Sequence, residues 1–300
     1  MTTKKSHTPK ISIVLPCYNG AEMLHRAIES VINQTFTDWE LLIVNDCSTD
    51  NTAEIGALYA SKDSRIRLTN NEKNLKLPAT LNVGFRKAKG DYFTWTSDDN
   101  ILHPNMLEKL YTCLEANPNV GMAVSGFEII DEKGNLVETI VPKDIQQRLP
   151  LNNYVGASFL YRKEVAHTVG EYDTTLFLVE DYDYWIRIWE KFSIETVNEV
   201  LYTYSIHSNS LTANNRERIE ERLLHLRLKY FDVFEQYLAN APAKLIQFYT
   251  RIVDVSKGAD KWKRYWQYAR SFPRFGLKYV VIHIPHRKLK NIKKKFKRTK

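Results

Sequence analysis

Twice within the first 45 residues the chain lays down a near-continuous apolar run, Ile11–Leu15 (ISIVL) and Glu40–Val44 (ELLIV). Runs of that kind suit strands buried on both faces, and such strands sit in parallel sheets joined by helical crossovers. The segments between them agree. Glu22–Asn33 carries Met23, Leu24, Ala27, Ile28 and Val31 at helical spacing. After the second run comes NDCSTDNT, where Ser48 or Asp50 can start the next helix. Arg65–Thr69 predicts a short third strand, Ala79–Ala88 a helix and Asp91–Thr96 a fourth strand. His103-Pro104 then opens another helix, with proline at a tolerated first-turn position. This rhythm predicts an α/β fold, a mainly parallel sheet with helices on both faces.

Further on, Val120–Ile130 and Leu136–Val141 predict a hairpin, Ala157–Tyr161 a strand, Glu180–Phe192 an aromatic helix and Ile194–Ile206 a strand. Beyond residue 212 only helix signals continue, to about Arg270. The expected organisation is a catalytic-type α/β domain over 1–210, a helical extension over 211–275 and an apolar then basic tail over 276–300. Hydrophobic residues make up 43% and aromatics 12%, enough for a sizeable core and against disorder of the whole chain. The net charge of +8 belongs to the tail, because residues 287–300 hold nine Lys and Arg and no acid. Three cysteines without a CxxC pair support neither a disulfide framework nor a zinc cluster. MTTKKSHTPK has no apolar core of a secretory signal, and no apolar run approaches the ~20 residues of a spanning helix. A cytoplasmic protein is expected, soluble or peripheral on the inner face of a membrane.

In an open parallel sheet, ligands bind outside the carboxyl ends of the strands. Three polar clusters fall at such ends: Pro16–Gly20, Asn45–Asp50 and Ser97–Asn100. The first turn has one glycine and no GxGxxG, and GxxxxGK[ST] is absent, which speaks against Rossmann dinucleotide and P-loop sites. Asp98-Asp99 are hard ligands suited to Mg2+ or Mn2+ with phosphate oxygens, or else caps for the helix that follows. Asp46 reads equally as a turn cap. Glu180-Asp181 can supply a general base or simply complement a helix dipole. His207 suits a metal, a phosphate contact or a structural role. Trp185 and Trp189 read as core.

Taken in order, these clusters resemble the family 2 glycosyltransferases of the GT-A fold. The residues that carry the likeness are Val14-Leu15-Pro16-Cys17-Tyr18-Asn19, Val44–Thr52, Gly90-Asp91-Tyr92 leading to Ser97-Asp98-Asp99, Gly156-Ala157-Ser158, Glu180–Trp185 and His207–Ser210. The resemblance implies an inverting transfer of a sugar from a nucleoside diphosphate donor, UDP or dTDP, to an acceptor hydroxyl. It implies that Pro16, Tyr18 and Asn19 hold the nucleoside, that Asp46 meets the base, and that Asp98 and Asp99 contact ribose and a divalent Mn2+ or Mg2+. Asp181 matches the catalytic base, Glu180 its acidic neighbour and His207 a histidine beside the diphosphate or metal. The implied acceptor is a saccharide or lipid-linked saccharide of cell-surface polysaccharide or glycolipid assembly.

Two departures accompany the match. Thr96-Ser97-Asp98-Asp99 lacks the first acid of the usual Asp-Ser-Asp-Asp, and Asn45-Asp46-Cys47-Ser48 lacks the glycine of Asp-Asp-Gly-Ser. The first leaves room for an alternative, a nucleotide-sugar-binding subunit with impaired catalysis. Acceptor choice is expected in loops such as Lys143–Asn153 and in the C-terminal helices. The basic tail suits an anionic membrane surface, and nucleic acid is not expected as a partner, because the tail lacks interleaved aromatics beyond Phe296.

Overall fold

The computed structural model describes residues 8–273 and 275, which divide into two compact units between Asn215 and Arg216. In the first unit, β1 (Ile11–Cys17), α1 (Leu24–Ile32), β2 (Trp39–Asn45), α2 (Thr52–Lys62), β3 (Ile66–Asn70), α3 (Leu77–Phe85) and β4 (Tyr92–Trp95) follow the expected alternation. Next come β5 (Ile101–Leu102), α4 (Met106–Ala116), β6 (Val120–Ile130), β7 (Leu136–Ile140), α5 (Ile145–Arg148), β8 (Phe159–Arg162) and α6 (Lys163–Val169). The unit closes with α7 (Glu180–Trp189), β9 (Ser193–Ser205) and α8 (Leu211–Asn214).

The strands form one sheet in the order β3-β2-β1-β4-β8-β6-β9-β5, with β7 pairing β6 beside this path. β3, β2, β1 and β4 run parallel, as the continuous apolar runs require. The other half is mixed: β8 is antiparallel to β4 and β6, β9 is parallel to β6, and β5 is antiparallel to β9. Every residue of β1 and β2 is buried, because helices cover both faces. Leu24, Ala27, Ile28 and Val31 of α1 join Leu107, Leu110 and Leu114 of α4 in the core on these strands.

Glu40 explains how a charge enters an apolar strand. It is only 6% exposed, yet it accepts Ser12 Oγ and the Lys89 N–H on Oε1, both at 2.6 Å, and Arg67 Nη2 at 2.5 Å on Oε2. Those donors fasten the amino ends of β1, β3 and β4 to β2, leaving the carboxyl ends as the open edge.

Several elements differ from the sequence expectation. Pro104 stands ahead of α4, whose N-cap is Asn105, because His103 remains extended and donates its N–H to Leu201 O at 3.0 Å. Strand β5 and helix α6 were not expected. The helix signals beyond residue 212 resolve into separate helices, with a break at Tyr230 between α9 (Arg216–Lys229) and α10 (Phe231–Leu238).

The second unit adds α11 (Pro242–Val255) and α12 (Gly258–Ser271), held by stacked rings, with Tyr249 on Tyr268 at 4.6 Å and Phe231 on Tyr268 at 5.4 Å. The expected tail over 276–300 lies outside the described residues. No helix among the described residues is long and apolar enough to cross a membrane.

Candidate active site

The three polar clusters come together because β1, β2 and β4 are neighbours in the sheet and point their carboxyl ends the same way. Pro16 is buried within β1, opposite Val44, and Tyr18 beyond it is 50% exposed. Asn19 takes a left-handed φ of 54° and links the first loop to the second. Its N–H donates to Ser48 Oγ at 2.9 Å, and its Oδ1 accepts the Thr49 N–H at 2.8 Å. The Gly20 N–H donates to Thr52 Oγ1 at 3.0 Å, and the Ala21 N–H to Asp50 Oδ2 at 3.1 Å. Asp50 also accepts the Thr52 N–H at 3.1 Å, the first N–H of α2, whose N-cap residue is Asn51.

Asp46 does not cap α2. Its carboxylate, 4% exposed, accepts Asn71 Nδ2 and the Leu75 N–H at 2.8 Å on Oδ1, and the Lys76 N–H at 2.9 Å on Oδ2. Two successive N–H groups converge on one anion because Lys76 takes φ 71°. Oδ2 keeps capacity for a second donor.

Asp98 and Asp99 part company. Asp98 turns to the first loop: a methyl group on Gly20 would stand 1.9 Å from its Oδ2, and the Tyr18 N–H donates to it. Burial first, and the neighbouring Asp99 charge second, push Asp98 up to about 7. Asp99 turns the other way. Ser97 Oγ donates to its Oδ1, and its Oδ2 lies 3.0 Å from His207 Nε2, 108 residues away in sequence. Strand β5 makes that meeting, because the register Ile101↔Thr203 and Leu102↔Tyr202 sets Asp99 beside the end of β9. Asn100 secures it, accepting the Ser205 N–H at 2.9 Å and donating to Ser97 Oγ at 2.5 Å. Thr96 is 1% exposed, and its hydroxyl pairs with Tyr202 Oη at 2.7 Å. The residue in place of the usual acid is thus built into the sheet.

Glu180 and Asp181 open α7. Leu178 before them has φ 84°, a left-handed value that costs an ordinary side chain about 1–3 kcal/mol. Glu180 is 3% exposed and accepts backbone N–H groups of its own turn, while its Oε2 has no partner among the described residues. Asp181 is better satisfied: Oδ1 accepts the Tyr182 N–H and Oδ2 accepts Asn153 Nδ2, both at 2.7 Å. Burial raises both acids, and the Asp181 charge raises Glu180 further. Two carboxyls so buried and so close resist carrying two charges at once, so the pair titrates as a unit. The Tyr204 hydroxyl, raised chiefly by burial, also feels the charges of both Asp99 and Asp181. Asn153 and Tyr204 carry no motif signal. Only the suspicion attached to the loop containing Asn153 pointed to either.

No group of three or more His, Cys, Asp and Glu gathers as a metal centre among the described residues. The Asp99 carboxylate and the His207 imidazole nevertheless suit a divalent ion that draws its other ligands from a diphosphate and water, Mn2+ accepting both donor types.

The mixed α/β sheet with its covering helices is the GT-A fold. The family model described as Glycosyl transferase family 2 matches residues 12–170, ending ahead of Glu180, Asp181 and His207. The chain belongs to that family. An uncharacterized glycosyltransferase of Rickettsia prowazekii is 30% identical over 225 residues, 72% of this chain and 70% of its own. A longer one from Rickettsia felis is 32% identical over 228 residues, and the match spans only 37% of it. Among solved structures, S. aureus TarS 1-349 in complex with UDP aligns with TM-score 0.57 and 16% identity, covering 90% of this chain and 91% of that one. The mannosyltransferase PcManGT from Pyrobaculum calidifontis, in complex with GDP-Man and Mn2+, aligns with TM-score 0.59 and 17% identity, covering 88% and 81%. At such identities the likeness carries the fold.

Proposed function

We propose that this glycosyltransferase moves a sugar, with inversion, from a UDP or dTDP donor to an acceptor hydroxyl on a saccharide or lipid-linked saccharide of the cell surface. The observation that carries the reading is the meeting of Asp99 and His207 at 3.0 Å on the edge where β1, β2 and β4 end. Pro16, Tyr18 and Asn19 would form the nucleoside wall. The free capacity on Asp46 Oδ2 would accept an imide N–H, which uracil and thymine possess. Asp98, turned to the same loop, would take the ribose hydroxyls. A divalent ion held by Asp99 and His207 would offset the charge that builds on the departing diphosphate.

Asp181 would then accept the proton of the acceptor hydroxyl as its oxygen bonds to the anomeric carbon and the bond to the diphosphate breaks. Glu180, raised by burial and by the Asp181 charge, would hold the pair's proton and keep a second negative charge away from the attacking oxygen.

A thermal-shift panel of UDP, dTDP, GDP and CDP with and without Mn2+ tests the donor site. Ligand at 100 times its dissociation constant adds about 2.7 kcal/mol, a shift of roughly 5–10 °C for a domain of this size. One diphosphate should give a Mn2+-dependent shift, and a cooperative transition that none of them moves would sink the reading. Asp181→Asn should abolish transfer and keep the nucleotide shift; full turnover in that variant would remove Asp181 from the role of base.

A further inference from the structure

Helix α12 keeps two chemically distinct faces. Tyr265 and Tyr268 turn inward and are 5% and 3% exposed. On the adjoining face Trp262 and Trp266, one turn apart, are 50% and 57% exposed. Lys263 and Arg270 are exposed three residues before and four after Trp266, so two cations flank that indole. Each indole meets the core only edge-on, through the Tyr265 ring at 5.9 and 5.0 Å, and still stands half in solvent. An indole combines broad apolar surface with one N–H donor, the pairing enriched where a hydrocarbon phase meets water. By sequence, α12 leads into Leu277–Ile284 (LKYVVIHI) and then the nine Lys and Arg of 287–300, with no acid among those last residues.

We infer that the exposed face of α12 docks on an anionic lipid bilayer, with Trp262 and Trp266 entering at headgroup level and Lys263 and Arg270 meeting lipid phosphates. Firm attachment of a peripheral protein needs two signals, apolar insertion and electrostatic attraction. The indole pair supplies the first and the basic segment the second. The same cations on a nucleic acid would leave LKYVVIHI without a role, whereas a bilayer accommodates it. This inference does not depend on the roles proposed for the acid pairs.

The test uses the full chain and vesicles of phosphatidylcholine with or without phosphatidylglycerol. The protein should sediment with the anionic vesicles only, less so at high salt, and brominated lipid should quench its tryptophan emission. Trp262→Gln with Trp266→Gln should lower partitioning about tenfold or more and abolish the quenching, with melting temperature and nucleotide response unchanged. Lys263→Glu with Arg270→Glu should weaken binding and flatten its salt dependence. Failure of the wild type to bind anionic vesicles at low salt would overturn the inference. So would wild-type binding and quenching by the double tryptophan variant, or an oligonucleotide that displaces the vesicles through the same two tryptophans.

Discussion

A methyl group at Gly20 would stand 1.9 Å from Asp98 Oδ2, so Gly20→Ala forces that carboxylate or the first loop to move. Overpacking of this kind costs about 1–3 kcal/mol. The expected outcome is a modest fall in melting temperature with most of the nucleotide-induced shift lost, read in the same panel. Asn153 acts on Asp181 from the side. Its Nδ2 donates to the carboxylate at 2.7 Å and favours the ionised form. Asn153→Ala should therefore move the acid limb of the pH–rate profile to higher pH, with activity still rising as Asp181 ionises. An unchanged limb would mean that Asp181 does not govern it. Gly156, at φ 63° with Phe127 against its α-carbon, admits no side chain for two reasons, strain and contact.

Among the elements, the shortest strand has the largest effect on the site. Asn100, 3% exposed, ties β5 and Ser97 to the end of β9. Asn100→Ala should cost about 1–3 kcal/mol by leaving buried partners unmet. It should also erase the Mn2+-dependent part of the UDP shift before the metal-free part. Equal loss of both would place Asn100 outside the cation's surroundings. β5 was illegible in the sequence for a physical reason: two residues, Ile101-Leu102, between polar neighbours show no periodicity, and their strand character comes from β9, a hundred residues on. β1 and β2 were legible because they are apolar throughout, and the motifs at their ends were legible because a parallel sheet makes those ends the binding edge. The sequence could not show that Asp98 and Asp99 face different partners, or that Asn19 and Asp46 are engaged in holding loops. Adjacent residues can turn opposite ways, and loop-to-loop bonds leave no pattern in one chain.

At the scale of the whole molecule, the acids that carry the site work against stability as the pH rises. Asp98 lies near 7 in the folded chain, against about 3.9 for an unperturbed aspartate. The native state therefore holds its proton longer than the unfolded state does. The stability this provides is full below about pH 4 and is lost as the pH climbs through about 7. Glu180 and Asp181, raised by burial, act in the same direction. Asp63 and Glu171, lowered chiefly by hydrogen bonds from Arg65 and Arg86, oppose them only at the acid end. Asp98→Asn should flatten the fall in melting temperature between pH 5 and pH 8, and an undiminished slope would assign the effect to the Glu180–Asp181 pair. Mn2+ should lessen the fall in the wild type, because a nearby cation favours the ionised carboxylate.

The span between Asp99 and His207 also has a meaning in time. The 108 residues that separate them take about 5–20 s to synthesise. A growing chain therefore has the parallel half of its sheet, with the loops proposed for the nucleoside, well before it has β9. Throughout that interval Asp99 lacks the His207 imidazole, and β6, once made, keeps one edge unpaired until β9 follows. If Asp99 and His207 hold the cation as proposed, an unfinished chain has its nucleoside loops before its cation pair, and chemistry waits for the last strand.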